Sequence, residues 1–387
     1  MDVELTAEQR LLKDNTRKFM EREIVPVADE GDRRKILLDR DTAREFIRKV
    51  IPLGYTGTTL PESAGGAGAN HLASGILTEE IFRAWASLGG LVGITSGVAG
   101  AVFAAAGDER RARYLQPLLR GEIIGCAAIT EPNVGSNPAA AETTAVPDGD
   151  DYILNGTKTW ISNGSVADVA LVTAQADRGK GKRGLIRLLV DRCESPFESR
   201  ELPKLGLRSF PTSELVFADC RVPRGNLVGG LGQGLKDTLK MFEQARCWMA
   251  MGAVGMAQAA LEASLRYARE RTQFGKPIGS FQLIQEMIAD MATETEAARL
   301  LAYRGLHLLD QRVRCDRETS MAKAFATEAA VRVTSAAIQI HGAYGLSEEY
   351  PLERYFRDAR CWTIPDGTTQ IQKLIVGRAM LGMSAFV

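Results

Sequence analysis

Histidine is scarce in this sequence, and the scarcity narrows the chemistry before any motif is weighed. Three occur among 387 residues: His71, His307 and His341. A Ser-His-Asp hydrolase or a histidine-rich metal enzyme would have to be built from these three. No HExxH, GxSxG or GxxxxGK[ST] string is present, and no GxGxxG fingerprint opens a β-α unit. Hydrolase, P-loop and nicotinamide Rossmann readings are correspondingly weak. The six cysteines (Cys126, Cys193, Cys220, Cys247, Cys315 and Cys361) stand singly, with no CxxC pair. That argues against a zinc knuckle or a thioredoxin motif, and no metal is expected. An excess of one charge is also lacking. Lys plus Arg is 48 and Asp plus Glu is 48, which removes the electrostatic footprint of a general nucleic-acid binder. It gives no reason to expect an anionic membrane surface as partner either. The opening Met1-Asp2-Val3-Glu4-Leu5 has no basic cluster followed by an apolar stretch. Neither a signal peptide nor a transmembrane span is predicted. Single cysteines fit a reducing, cytoplasmic setting.

What is present is ordinary globular usage, 45% hydrophobic and 25% charged. At roughly 150 residues per domain, the length predicts about two or three domains. The first 120 residues read as mostly helical. Thr6 and Gln9 form a capping-box pattern ahead of Leu11, Leu12 and Phe19. Further helices are predicted over Thr42–Ile51, His71–Trp85 and Asp108–Leu119, with Asp108 as an N-cap. The charged stretch Asp29–Arg40 reads as a solvated face. Between Gly121 and Val228 the chain turns to Thr, Val, Ile and Gly with frequent turn signals. Tyr152–Ile161 reads as a hairpin turning at Asn155-Gly156. Val169–Ala174, Leu185–Val190 and Glu214–Phe217 read as further strands of a small β-barrel or sandwich. From 229 to 387 long helices return: Leu235–Arg271, Phe281–Leu309, Glu318–Ile340 and Thr369–Leu381. Ile284, Met287, Ile288 and Met291 share one face of the second. The fold class is α+β: an N-terminal helical domain (1–120), a middle β domain (121–228) and a C-terminal four-helix bundle (229–387). Strands bracketed by helices, without βαβ alternation, argue against a doubly wound parallel sheet.

Five strings could carry chemistry. Ala128-Ile129-Thr130-Glu131-Pro132-Asn133-Val134-Gly135-Ser136-Asn137 offers hydroxyls and a glycine that permits close backbone approach; an ordinary surface loop is an equal reading. Gly156-Thr157-Lys158-Thr159-Trp160-Ile161-Ser162-Asn163-Gly164 sets a Trp beside hydroxyls, though a strand Trp is more often core. Arg269-Glu270-Arg271-Thr272-Gln273-Phe274-Gly275-Lys276-Pro277-Ile278 leads to Phe281-Gln282. Arg269 suits a helix C-terminus, and Arg271 beside Phe274 could hold a pyrophosphate and stack on a base. The fourth string is Gln339-Ile340-His341-Gly342-Ala343-Tyr344-Gly345 with Glu349–Asp358. The fifth is Ile364-Pro365-Asp366-Gly367-Thr368-Thr369-Gln370-Ile371-Gln372. A carboxylate just before a helix commonly serves as an N-cap, and that reading of Asp366 stays open here.

Taken in order, the five strings resemble the acyl-CoA dehydrogenases, and the resemblance runs over essentially the whole chain. It implies FAD as cofactor, an acyl-CoA substrate, an electron-transfer flavoprotein as acceptor, and a homotetramer built as a dimer of dimers. Ala127, Ile129, Thr130, Gly135, Ser136, Trp160, Ile161 and Ser162 match positions that hold the flavin ring. Arg271, Gln273, Phe274, Gln282, Gln339, Gly342 and Ala343 match positions that reach a neighbouring subunit's FAD, with Ala343 standing where the family often has glycine. Thr368 and Gln370 are also expected at the cofactor. Ser136, Glu243, Arg246 and Gly367 match substrate-side positions. Arg246 could equally be an interhelix ion pair.

By the same resemblance Asp366 is the catalytic base, at a position where most members carry Glu. Some members place the base on the first bundle helix, where this chain has Ala245. The base would remove the thioester's α-proton as a hydride leaves the β-carbon, the dehydrogenation that degrades fatty or alicyclic acids. An Asp is a methylene shorter than a Glu, so its oxygens recede by roughly 1 Å. That favours a ring-bearing α-carbon, as in cyclohexane carboxyl-CoA. Short linear or branched acyl-CoA esters are the alternative substrates, and relatives acting on nitroalkanes or acyl-carrier-protein esters are further readings. A non-catalytic, DNA-binding relative is disfavoured by the zero net charge. The segment Gly89–Ala106, expected to line the pocket floor, holds no Arg or Lys for a dicarboxylyl substrate.

Overall fold

The computed structural model describes residues 4–384; Met1, Asp2 and Val3 of the opening segment lie outside the described residues. Six helices form the N-terminal part: α1 (Ala7–Glu23), α2 (Val25–Arg33), α3 (Arg40–Val50), α4 (His71–Ala84), α5 (Ala86–Ala105) and α6 (Asp108–Leu119). The Thr6/Gln9 capping box is present in full. Two expectations need correction. Gly107, not Asp108, is the N-cap of α6, and Asp108 sits in the first turn, where its charge meets the helix dipole. The Asp29–Arg40 stretch is only partly a solvated face: Glu30, Arg33, Arg34, Lys35 and Asp39 are exposed, but Asp29 and Asp32 are not. Pro26 opens α2, and the helix turns Asp29 onto Arg354 (2.6 Å) and buried Asp32 onto Arg357 (2.5 Å). The partners lie more than 300 residues away, so no local signal announced them. α5 is long and apolar enough to cross a membrane by length and composition. In this fold it packs on α4, α6, α7 and the sheet.

The middle part is one curled seven-stranded sheet, half a barrel, made of β1 (Gly125–Ala128), β2 (Thr144–Asp148), β3 (Asp151–Ser162), β4 (Val169–Gln175), β5 (Leu185–Asp191), β6 (Glu198–Glu201) and β7 (Thr212–Pro223). β4 is buried on both faces. Ala170, Val172 and Ala174 point into the sheet's own core, while Val169 and Leu171 meet Val98, Val102 and Leu118 of α5 and α6. The expected hairpin at Asn155-Gly156 is absent. β3 runs straight through this pair as a bulge opposite β7. Gly156 has φ +148°, and a Cβ there would lie 2.6 Å from the Thr143 hydroxyl. The glycine serves close packing, and the actual turn is Gly149-Asp150, closed by the Asp148–Asp151 pair.

The C-terminal part has the four long helices expected: α7 (Gly234–Glu270), α8 (Gln282–Asp310), α9 (Asp316–His341) and α11 (Thr369–Leu381). A short hairpin (β8, Thr272–Gln273; β9, Lys276–Pro277) joins α7 to α8, and an unexpected helix, α10 (Leu352–Trp362), precedes α11. The N-terminal helices dock on this bundle through fully buried Glu79 and Glu80 of α4. These carboxylates meet Lys13 and Arg17 of α1, Arg83 of α4 and Arg299 of α8. Burying two carboxylates is tolerable only because each is paired this way.

Candidate active site

The loop from α10 to α11 carries Asp366. Thr368 caps α11, accepting from Ile371 N–H at 3.3 Å. Asp366 is therefore not the cap, and the bland reading of this carboxylate falls away. Its backbone is left-handed (φ +53°), followed by Gly367 at φ +90°. Asp is among the few side chains that tolerate this conformation. Two fully buried side chains lock the turn. Lys323 of α9 donates to the Thr363 and Gly367 carbonyls at 2.8 and 2.9 Å. Gln372 of α11 donates to the Asp366 and Gly367 carbonyls, both at 2.9 Å. The Thr363, Asp366 and Gly367 carbonyls thus have intramolecular partners, and the Asp366 side chain stays half-buried. Loss of hydration raises its carboxyl above the ordinary carboxylate value, and Lys323 and Arg246 pull against that rise.

Arg246 of α7 faces the same carboxylate. It is buried, touches Asp316 at 3.4 Å, and leaves its Nε without a partner. Burial lowers its pKa from the ordinary value, and Asp316, Asp366 and Glu243 oppose that. The interhelix ion pair and a free donor thus coexist in one guanidinium. Glu243, one turn earlier, accepts from Cys315 N–H at 2.9 Å and so braces the start of α9. Trp248, two residues on, lies against α5: a Cβ on Gly93 would sit 1.9 Å from its ring. Trp248 also packs edge-on to Phe82 (5.2 Å) and against Trp362 (5.5 Å). These rings pack α4, α7 and α10 together against uncharged α5.

The first two strings meet in the sheet. Thr159 N–H donates to the Thr130 carbonyl at 2.9 Å. Buried Lys158 donates to the Ile129 carbonyl (3.0 Å), to Glu131 (2.7 Å) and to the Thr173 carbonyl (2.7 Å). A bulge between Lys158 and Ile161 turns Trp160 outward. It has φ +57° and is 56% exposed, so the expectation that a strand Trp is core does not hold here. A strained residue presenting an open aromatic face marks a site more often than an accident. Ile161 is buried, Ser162 half-buried, and Gly135 and Ser136 are exposed, with open space beside Gly135. Asn163 ties this strand end to α5, donating to the carbonyls of Leu91 (3.1 Å) and Gly125 (3.0 Å).

The third and fourth strings form a separate cluster. Arg271, Gln273, Phe274 and Gln282 are all exposed at the β8–β9 hairpin, Phe274 at 92%. The Arg271 guanidinium stands 6.0 Å over the Tyr344 ring, so exposed Gln339, Gly342 and Ala343 lie on the same end of the bundle. Arg246 and Arg271 are 25 residues apart along α7, about 37 Å at 1.5 Å per residue. One chain therefore does not bring this cluster to Asp366. Thr368 and Gln370 lie beside Asp366 on the α11 side. Reading the sequence alone gave no role to Lys323, Gln372, Lys158 or Asn163; the one available signal was an isolated Lys within the apolar run Met321-Ala322-Lys323-Ala324-Phe325-Ala326.

The chain matches three family models in order: acyl-CoA dehydrogenase N-terminal domain (residues 6–122), middle domain (126–220) and C-terminal domain (232–381). It is 38% identical to the mitochondrial short-chain specific acyl-CoA dehydrogenase of Mus musculus, over 98% of this chain and 91% of that one. It is 35% identical to the caffeyl-CoA reductase-Etf complex subunit CarC of Acetobacterium woodii, over 97% of this chain and 98% of that one. Among solved structures, a glutaryl-coenzyme A dehydrogenase glutaryl-CoA complex superposes with a TM-score of 0.94, at 38% identity, covering 99% of this chain and 97% of the other. The chain belongs to the acyl-CoA dehydrogenase family. It is an FAD-dependent oxidoreductase that dehydrogenates an acyl-CoA. The residues present fit the cofactor: the outward Trp160 offers a flat face for a ring, and half-buried Thr130 and Ser162, on the paired loop and strand, supply hydroxyls suited to a polar edge.

Proposed function

We propose that Asp366 is the base of an α,β-dehydrogenation of an acyl-CoA thioester, and that the acyl group carries a ring at its α-carbon, as in cyclohexane carboxyl-CoA. The observation that carries the reading is the Asp366 turn: a poorly hydrated carboxylate with raised proton affinity, on a locked left-handed backbone, facing the free donor of Arg246. A carboxylate short of water is a stronger base than one in solution, which abstraction of a weakly acidic α-proton requires. The Asp366 and Gly367 carbonyls are engaged, while among the described residues no partner takes the Asp366 N–H, which is free to donate to a thioester oxygen as enolate charge develops. Bound FAD supplies the hydride acceptor.

The uncharged α5, expected to line the pocket floor, favours a hydrocarbon acyl group over a dicarboxylyl one. The shorter Asp favours a bulkier α-carbon. The relative from the caffeyl-CoA reductase-Etf complex supports an electron-transfer flavoprotein as redox partner. The 37 Å separating Arg271 from Arg246 supports an oligomer, a dimer of dimers, in which the hairpin cluster serves a neighbour's FAD. Steady-state kinetics on cyclohexane carboxyl-CoA and butyryl-CoA test the substrate: a higher kcat/KM for the cyclic ester is expected, and a clear preference for the linear one contradicts the reading.

A further inference from the structure

A fully buried lysine on the inner face of α9 needs a reason. Taking an ammonium out of water is costly unless it is paired. Lys323 is 0% exposed, and among the described residues no carboxylate comes within ion-pair distance of its Nζ. Two of its three protons go to the carbonyls of Thr363 and Gly367, which bracket Asp366 in sequence. Holding those carbonyls does not in itself require a charge. Gln372 performs the same task on the same turn with a neutral amide. What the lysine adds is a cation, and the acidic groups that answer it across space are Asp366 and Glu328.

We propose that Lys323 is a positioning residue for Asp366: it clamps the Thr363 and Gly367 carbonyls on either side of the base and sets a positive charge toward its half-buried carboxylate. The proposal rests on the reading of Asp366 as base. Asp366 is faced by Lys323 from α9 and by Arg246 from α7. Lys323 is faced in turn by Asp366, Glu328 and Arg246, and Glu328 is itself engaged by the Thr369 hydroxyl at 2.6 Å. Arg246 is already shared among Asp316, Glu243 and Asp366, so Lys323 is the cation least committed elsewhere. Burial brings its own pKa down to about 8, opposed by Asp366 and Glu328. The charge is thus present at neutral pH and lost in mildly alkaline solution.

The test follows the ionisation of Asp366 in the FAD-loaded enzyme without substrate. The carboxyl stretch is read by infrared difference spectroscopy with 4-13C-aspartate labelling and assigned by its loss in Asp366→Asn. Lys323→Gln, which keeps two donors and removes the charge, is expected to raise the Asp366 midpoint by about one pH unit, tenfold in proton affinity. Lys323→Arg is expected to leave it near wild type. Should the glutamine variant not fold, Lys323→Met, uncharged and of similar reach, makes the same prediction. An unmoved midpoint in the uncharged variants overturns the proposal, as does an equal rise in Gln372→Leu, which removes loop bonds without removing charge. The pH profile of flavin bleaching by cyclohexane carboxyl-CoA and by butyryl-CoA is run alongside. Absence of bleaching by either ester in the wild type counts against the catalytic reading and leaves the infrared result to decide the role of Lys323.

Discussion

Lys158 and Glu131 form an ion pair 2.7 Å long whose side chains are 0% and 2% exposed. The same ammonium holds the Ile129 and Thr173 carbonyls, so all three of its protons are used. The Glu131 carboxylate accepts the N–H groups of Glu142 and Thr143. Burial pushes its pKa up, but Lys158 and these donors hold it below the ordinary value. The loop bearing Ile129 and Thr130 therefore hangs on one buried pair. Lys158→Met strands a buried carboxylate, and a loss of about 3 kcal/mol is expected. Thermal denaturation followed by flavin fluorescence should show earlier FAD release. The double variant Lys158→Met with Glu131→Leu should recover part of the loss, and a double variant no more stable than the single contradicts this account.

A pH effect follows from Asp358 of α10. Burial pushes its carboxyl up to about 6, against the pull of Arg354 and the Leu207 N–H bond at 2.5 Å. Its folded pKa lies above the unfolded one, so its contribution is fully present below about pH 4 and is lost as pH rises through 6. Asp358→Asn keeps an oxygen for Leu207 N–H and does not titrate. The stability of that variant relative to wild type should climb between pH 4 and pH 7, by at most about 3 kcal/mol. Denaturation midpoints across this range check it, and a constant difference rules out the assignment.

The exposed Arg271 and Phe274 touch little of their own chain. Truncating either to Ala should leave the helical circular dichroism unchanged. FAD should nevertheless be retained about tenfold less tightly, the usual value of one charge-assisted bond or aromatic contact. Equilibrium dialysis measures this, and unaltered FAD affinity in both variants contradicts a role for the hairpin at a neighbour's cofactor.

Substrate preference should respond to the length of the base. Asp366→Glu restores the longer side chain at a left-handed position, at a backbone cost of about 1 kcal/mol. We expect the ratio of kcat/KM for cyclohexane carboxyl-CoA over butyryl-CoA to fall by tenfold or more. An unchanged ratio would separate the identity of the base from the choice of acyl group.

Legibility in the sequence tracked the range of the interaction. The Thr6 capping box and the apolar stripe of α8 are written within one or two turns, and both stand in the structure. Asn155-Gly156 was misread because a turn signature and a bulge use the same glycine; only the twelve-residue partner strand β7 decides between them. α2 and the Asp32–Arg357 pair were invisible because the two charges stand 325 residues apart. Asp366 was legible from its string, yet what makes it more than a cap was not. The left-handed turn, Lys323 on another helix and the unpartnered Nε of Arg246 are products of tertiary packing.

The central claim is that the Asp366 carboxylate takes the α-proton. Its most direct test is exchange of that proton with deuterated water, measured beside flavin bleaching in Asp366→Asn. With the uncharged isostere in the locked turn, FAD should remain bound while exchange and bleaching both fall by at least a hundredfold, the lower end of what a positioned base contributes. Exchange at the wild-type rate in that variant would show that another group does the work.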